Sequence, residues 1–367
     1  DRNSLTLFLR YNCIPAPYSI YEGIFKLEPG HIASIKLGDS VVKSRIYWSI
    51  NDKNLKNQCA RSEVETLDQL DDTLKKSVSR QMMSDVQIGA FLSGGIDSSL
   101  IAALMQKNSK KRLKTFSIGF ENKDYNEAEH ARAVAKYLDT DHYDLYVSDE
   151  TLRSVIPLLP TIYDEPFADP SQIPTYLVSK IAKEKVTVCL TGDGADELFG
   201  GYSRYSLAYR SWNKLKIFPL HFRKIIKFIC QGLPYGVWLF LFKIFRLSVG
   251  KLDRFLKAIN LLDCKSKVDF YHQGFMSQNN QASKWVLEKK STEYRTAFDI
   301  YRSKCTDYYK DMMNLDLLHY MQADTLTKVE RASMFVSLET RSPFLDPSVV
   351  QFSFTIPTKL KIKKYVN

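Results

Sequence analysis

The spacing of apolar positions changes character several times along the chain. Residues 1–50 carry short alternating apolar runs broken by Pro15, Pro17, Gly23, Pro29-Gly30 and Gly38-Asp39, which predicts short strands and turns. Residues 49–63 are polar and weakly patterned, the composition of a linker. Val64, Leu67, Leu70, Leu74 and Val78 then keep helical spacing. Four apolar runs follow, at 86–92, 113–120, 142–147 and 186–191, and each predicts a buried strand. Helical patterns separate them at 98–105, 126–138 and around 175–183; Asn126 and Glu129 form a capping box for the second. Such alternation predicts an α/β fold with a doubly wound, mostly parallel sheet. Beyond Tyr205 the pattern is almost wholly helical, without repeats or low-complexity tracts.

Composition narrows this picture. A chain of 367 residues with 44% hydrophobic and 13% aromatic positions can bury real cores in two or three domains, which excludes disorder as the main state. The net charge of +11 suggests an anionic partner at first sight. Residues 204–260, however, hold twelve basic residues and one acid, Asp253, and the remaining residues balance at forty against forty. The excess is local. Within it, residues 224–247 (KIIKFICQGLPYGVWLFLFKIFRL) predict amphipathic helices whose Lys and Arg stems cover apolar surface, with contact to a membrane surface as the second reading. Six scattered cysteines without a CxxC pair argue against a zinc site or a disulfide scaffold, and Cys189 in VTVCL reads as a small core residue. No leader pattern and no apolar run of the roughly 18–20 residues needed to cross a membrane is visible. The expectation is a reduced, cytoplasmic chain.

Candidate chemistry sits at strand ends. LSGGIDSS (92–99) follows the first strand of the alternation and opens a helix. Gly94 and Gly95 let the backbone approach a phosphate closely, while Ser93, Ser98, Ser99 and the helix start offer donors. Asp97 would be repelled by phosphates unless a hard divalent cation such as Mg²⁺ bridged them. Walker A and GxGxxG patterns are absent. The run resembles the SGGxDS loop of the PP-loop ATP pyrophosphatases, which implies cleavage of ATP between its α and β phosphates. A second segment, TGDGADELFGGY (191–202), places Asp193, Asp196 and Glu197 after the fourth strand, where open α/β sheets bind ligands. Segments 92–98, 118–119 and 191–197 are expected to converge there.

This second motif resembles that of the glutamine-hydrolysing asparagine synthetases and related β-lactam synthetase-like enzymes. The resemblance implies that Leu92 and Ile118 hold adenine through the backbone, that Thr191 and Gly192 contact the nucleotide, and that Asp97 and Asp196 ligate Mg²⁺. It assigns Asp193 to acyl-adenylate formation and to ammonia's proton, and leaves Glu197 as a structural acid paired with a basic neighbour. A third segment, KVERASMFVSLETRSPFLD (328–346), aligns Lys328 with a lysine that neutralises charge as pyrophosphate forms. Glu330 stands where the family usually has Asp. Glu339 and Arg341 match an E-x-R pair, expected as a buried structural ion pair. In DEPFADPSQIP (164–174), Glu165, Asp169 and Ser171 are placed to face the acceptor.

Residues 9–39 resemble the last strands of the family's glutaminase domain, with no match to its N-terminal cysteine nucleophile. The expected division is a glutaminase remnant at 1–50, poorly ordered, a linker at 51–63, an ATP-binding core at 64–205 and an incomplete helical part at 206–367. The chain thus reads as truncated at both ends. The resemblance implies an ATP- and Mg²⁺-dependent ligase that adenylates a carboxylate, aspartate first, and transfers ammonia drawn from glutamine in a full-length form. It also allows a homodimer. Alternatives are an amidotransferase on a cell-surface sugar acid or secondary metabolite, a PP-loop tRNA-modifying enzyme gripping RNA through the basic segment, and a non-catalytic nucleotide-binding remnant. No nucleic-acid partner is expected on the leading reading.

Overall fold

The computed structural model describes residues 1–38, 41–50, 61–120, 127–278, 280–287, 294–301 and 307–362. Among the described residues seven strands form two sheets. β1 (His31–Ser34) and β2 (Lys43–Ile46) make an exposed antiparallel hairpin. β3 (Ile88–Phe91), β4 (Lys114–Phe120), β5 (Asp141–Val147), β6 (Val188–Leu190) and β7 (Glu339–Arg341) make the central sheet, in the order β5-β4-β3-β6-β7 with every pairing parallel. The four strands expected from 86–191 are all present, so the α/β fold with a doubly wound parallel sheet stands.

Helices cover both faces. Leu74 and Val78 of the helix Glu63–Gln81, Ile101 and Met105 of Ile96–Asn108, and Ala131 and Ala135 of Ala128–Leu138 share one core with Leu92, Val188 and Leu190. Ala182, Val186, Phe116 and Cys189 belong to a cluster beside Leu338. Each large aliphatic residue buried in these layers contributes about 1.5–3 kcal/mol of transfer free energy. Ser62 caps the first of these helices in a complete capping box with Glu65. The helix after β4 begins differently from expectation. Its N-cap is Glu127, which makes no side-chain capping bond, and Asn126 lies outside the described residues.

Three findings depart from the periodicity. Residues Arg2–Tyr11 are a helix rather than strands and turns: Asp1 caps it by accepting from the Ser4 N–H at 2.8 Å, and Leu7 and Tyr11 enter the second core. The alternation L-T-L-F-L imitates a strand, but the cap and the spacing of Ser4, Leu7 and Tyr11 favour a helix. Nor is this segment loosely held. Gln278 N–H donates to Arg10 O at 2.7 Å, Ala168 N–H to Asn12 O at 2.9 Å and Tyr294 O–H to Asp1 Oδ2 at 2.6 Å. The third departure is β7, formed by the three polar residues of the E-x-R segment. Its Arg341 does pair with Glu339 at 2.7 Å, but the pair is half-exposed rather than buried. Arg341 also donates to Gln81 O and Met83 O, tying the sheet edge to the helix Glu63–Gln81. The linker residues 51–60 and the terminal 363–367 lie outside the described residues.

Candidate active site

The first loop leaves β3 and folds tightly onto the start of the helix Ile96–Asn108. Gly94 has a positive φ of 79°, and a Cβ there would lie 2.6 Å from His130 Cβ and 2.7 Å from the Ala131 backbone nitrogen. Only glycine fits both restrictions. Ser93 and Ser98 hydroxyls meet at 2.9 Å, and Ser98 Oγ accepts from the Ser93 N–H at 3.2 Å. Gly95 is the N-cap and supplies no side chain, so the helix start keeps its positive end for a ligand. The buried Ser99 hydroxyl has no hydrogen-bond partner among the described residues. An orphaned donor beside a glycine turn is what a phosphate-binding loop requires.

The second loop leaves β6 and lies directly against the first. A Cβ on Gly192 would sit 2.8 Å from the Ser98 backbone nitrogen and 3.1 Å from the Asp97 carbonyl carbon, so glycine here permits the two loops to touch. Thr191 anchors the loop: its N–H donates to Arg341 O at 2.8 Å and its hydroxyl meets that of Ser342 at 2.9 Å. Gly194 then turns with a φ of 97° into the short helix Ala195–Phe199.

Three acids thereby converge, and burial outweighs the cations that act on them. Burial, and then the charges of Asp196 and Asp193, push the Asp97 carboxyl up to about 6. Burial raises Asp196, with Arg204 opposing, and raises the enclosed Asp193 carboxyl, opposed by the Thr191 hydroxyl and the charge of Lys328. Carboxylates made uncomfortable by burial and by one another are poised for a cation. Among the described residues no group of three or more His, Cys, Asp or Glu side chains is arranged to hold a metal alone. Asp97 and Asp196 could hold an ion such as Mg²⁺ only with further ligands from phosphates and water.

Lys328 reaches this region from the helix Thr327–Phe335, which continues a π-helical stretch, Asp316–Leu326. Its ammonium lies 3.3 Å from Asp169 Oδ1. Asp324, one turn earlier, has its carboxyl pushed up to about 7 by burial and by the charge of Asp169, against the opposing charge of Lys328. Sequence reasoning missed Asp324, because no local pattern distinguishes it from other helical acids.

An open cavity of about 770 Å³ adjoins the first loop. Leu92, Ser93 and Ile118 line it, as expected for a base-binding wall, and Phe116, Phe120 and Leu152 add apolar surface that the motifs did not indicate. The Leu92 N–H is already donated to Phe116 O at 2.8 Å. The loop 164–174 divides its residues. Ser171 lines the cavity and Asp169 holds Lys328, whereas Glu165 turns away to pair with Lys26 and accept from the Ile20 N–H. Glu197 is also not as expected. It is fully buried and accepts from the Tyr202 hydroxyl at 2.8 Å instead of meeting a cation, and burial lifts its carboxyl to about 7. The cation belongs to the neighbouring acid, since Arg204 pairs with buried Asp316 at 2.7 Å.

A parallel sheet with a glycine turn and an acid-rich turn touching at its carboxyl edge, beside an apolar cavity, defines a nucleotide-binding α/β domain of the PP-loop type. Comparison with known proteins makes the family specific. The family model described as Asparagine synthase matches residues 69–366, and the chain belongs to that family. It is 31% identical over 371 residues to asparagine synthetase [glutamine-hydrolyzing] 1 of Bacillus subtilis, covering 99% of this chain and 54% of that protein. It is 30% identical to a putative asparagine synthetase [glutamine-hydrolyzing] of Mycobacterium bovis, over 99% of this chain and 53% of the relative. A putative asparagine synthetase [glutamine-hydrolyzing] 2 of Methanocaldococcus jannaschii is 37% identical over 57% of this chain and 40% of its own length. The chain thus spans about half the length of the curated relatives it matches.

Proposed function

We propose that the chain is the synthetase part of an ATP-dependent amide-forming ligase, with aspartate as the carboxylate and asparagine as the product. The observation that carries this reading is the contact of the Gly94–Gly95 loop with the Gly192 loop, which brings Asp97, Asp193 and Asp196 together with the charge of Lys328 acting on Asp193. A carboxylate oxygen of the acceptor attacks the α-phosphorus of ATP, and the bond from that phosphorus to pyrophosphate breaks. Ammonia then attacks the acyl carbon, the carbon–oxygen bond to AMP breaks, and nitrogen gives up a proton.

Each residue has a physical task in that sequence. Leu92 and Ile118 present apolar wall and backbone to the base, and Ser93, Gly95, Ser98 and the helix start present donors to phosphate oxygens. Thr191 and Gly192 hold the second loop in contact with the first. Asp97 and Asp196 would hold Mg²⁺, which when bound neutralises phosphate charge and fixes the pyrophosphate for departure. Lys328 supplies a fixed positive charge where pyrophosphate develops negative charge, a role its link to Asp169 prepares by orienting the ammonium. Asp193, more basic than an ordinary carboxylate because it is buried, suits acceptance of the proton from nitrogen. The segment 164–174 borders the same cavity and is proposed to carry the acceptor, through Ser171 and Asp169. Residues 1–50 are read as the end of an ammonia-supplying glutaminase domain.

Pyrophosphate release by the full-length protein tests the reading, with ATP, Mg²⁺ and ammonia and with aspartate, uronic acids and tRNA as separate acceptors. Release with aspartate is expected. Release only with a uronic acid would move the acceptor while keeping the ligase, and release with none of them would overturn it.

A further inference from the structure

The basic segment is folded in the opposite sense to an ordinary surface helix. In the helix Leu220–Gly232 the charged side is turned inward. Arg223 is buried and donates to Leu262 O at 3.1 Å and Cys264 O at 3.0 Å, and Lys227 pairs with Asp263 at 2.7 Å and donates to Asn260 O at 3.1 Å. The opposite side carries Phe222, Ile225 and Ile229 at helical spacing, 49%, 56% and 59% exposed. The expected arrangement, with basic stems lying over apolar surface, is therefore reversed here.

The next helix, Tyr235–Ile244, packs aromatic rings inward and still leaves apolar residues outside. Trp238 and Phe242 pack on Phe255 of the helix Val249–Asn260, and the Trp238 indole N–H donates to Cys230 O at 3.2 Å, which fixes the bend between the two helices. Val237, Phe240 and Ile244 are left exposed on the other side. Large apolar side chains shown to water on two successive helices mark a surface meant to be covered.

Charge decides what covers it. Lys214, Lys216, Lys224, Lys243 and Arg246 are exposed around these stripes, and between Arg204 and Asn260 the one acid is Asp253. A second copy would bring the same positive surface against itself. A bilayer carrying anionic headgroups satisfies both features, since acyl chains receive the apolar side chains while the ammonium groups stay at headgroup level. Crossing is not available to these helices. Among the described residues no single helix is long and apolar enough; only the pair together passes on composition, and it is bent by 94°. A ten-residue helix is about 15 Å long against a hydrocarbon core of about 30 Å.

We propose that the face formed by residues 217–247 docks on an anionic bilayer surface, with Phe222, Ile225, Ile229 and Phe240 entering the interface and the flanking lysines meeting lipid phosphates. Flotation of the full-length protein with phosphatidylcholine vesicles, with and without phosphatidylglycerol, tests it. Binding is expected to be about tenfold or more stronger with phosphatidylglycerol, and to weaken with salt. The pair Phe222→Ser and Phe240→Ser is expected to lower binding about tenfold, and Lys224→Glu with Lys243→Glu to remove the preference for anionic lipid. All four positions are exposed, so circular dichroism should show an unchanged fold. Absence of vesicle binding, or equal binding to both compositions, overturns the proposal. So does a vesicle-free dimer in light scattering that Phe222→Ser dissociates, because the face is then a contact between copies.

Discussion

Lys328 is held by Asp169 and placed near Asp193 and Asp324, so its charge is shared among three carboxylates before any phosphate arrives. On the proposed reading it is a charge-neutralising group rather than a structural one. Lys328→Ala should lower pyrophosphate release about 10²–10³-fold, the cost of removing an oriented donor at developing charge, with the melting temperature lowered only by the loss of the Asp169 pair. An equal loss of stability and activity would show that the residue merely packs. Gly192 offers the complementary case. Gly192→Ala places a methyl 2.8 Å from a backbone nitrogen that cannot yield as a side chain would. It should weaken ATP binding at least about tenfold in calorimetry while leaving the sheet intact, because the strain falls on the contact between the loops. Binding at the original affinity would remove Gly192 from the site. Glycine turns and acids were legible in the sequence because each motif is contiguous and follows a strand. The partners of Lys328 were not, since Asp169 lies 159 positions away in the chain and only the fold brings it near.

At the scale of elements, a buried charge group joins three helical segments, Ser203–Leu215, Lys267–Tyr271 and Asp316–Leu326. Asp316 accepts from Arg204, Tyr205 and Tyr271 at 2.7 to 2.9 Å, and Arg204 lies between the rings of Tyr202 and Tyr320. Asp316→Ala leaves the Arg204 charge without its partner and should cost about 3–5 kcal/mol in denaturant unfolding. The first helix is tied in by a second group, Tyr11 with His272 and His319. Burial holds both histidines far below their ordinary value of 6.5, at about 2 and about 3. They stay neutral in the fold and gain protons on unfolding below pH 6.5, so stability falls as pH drops from 6.5 toward 3. His319→Phe should flatten that fall by about 1.4 kcal/mol per pH unit; parallel unfolding curves for both proteins would contradict it. The helices were legible from their apolar period, and β3 to β6 because each lies within a largely apolar run of six to eight residues. The helix Arg2–Tyr11 was hidden by its strand-like L-T-L-F-L, and β7 by its length of three polar residues, too short to show a period.

The whole molecule separates two surfaces that the total charge of +11 blurs together. The nucleotide site is acid-rich, and the positive excess lies in 204–260, where helices present apolar residues outward. Their composition was legible but not their orientation, which depends on the distant carbonyls of Leu262 and Cys264 that receive Arg223. On the two proposals, synthesis lies at one edge of the sheet and attachment on a separate helical excursion, so each can be altered alone. Phe222→Ser with Phe240→Ser should therefore leave the rate of pyrophosphate release unchanged in vesicle-free solution, and a large loss there would mean that the excursion supports the site. The central chemistry can be followed through a single oxygen atom. When aspartate carrying ¹⁸O in its side-chain carboxylate is turned over with ATP and ammonia, adenylation moves one of those oxygens to phosphorus. Mass spectrometry should find AMP bearing one ¹⁸O for each asparagine formed; unlabelled AMP, or ADP with phosphate in its place, would contradict the adenylating ligase.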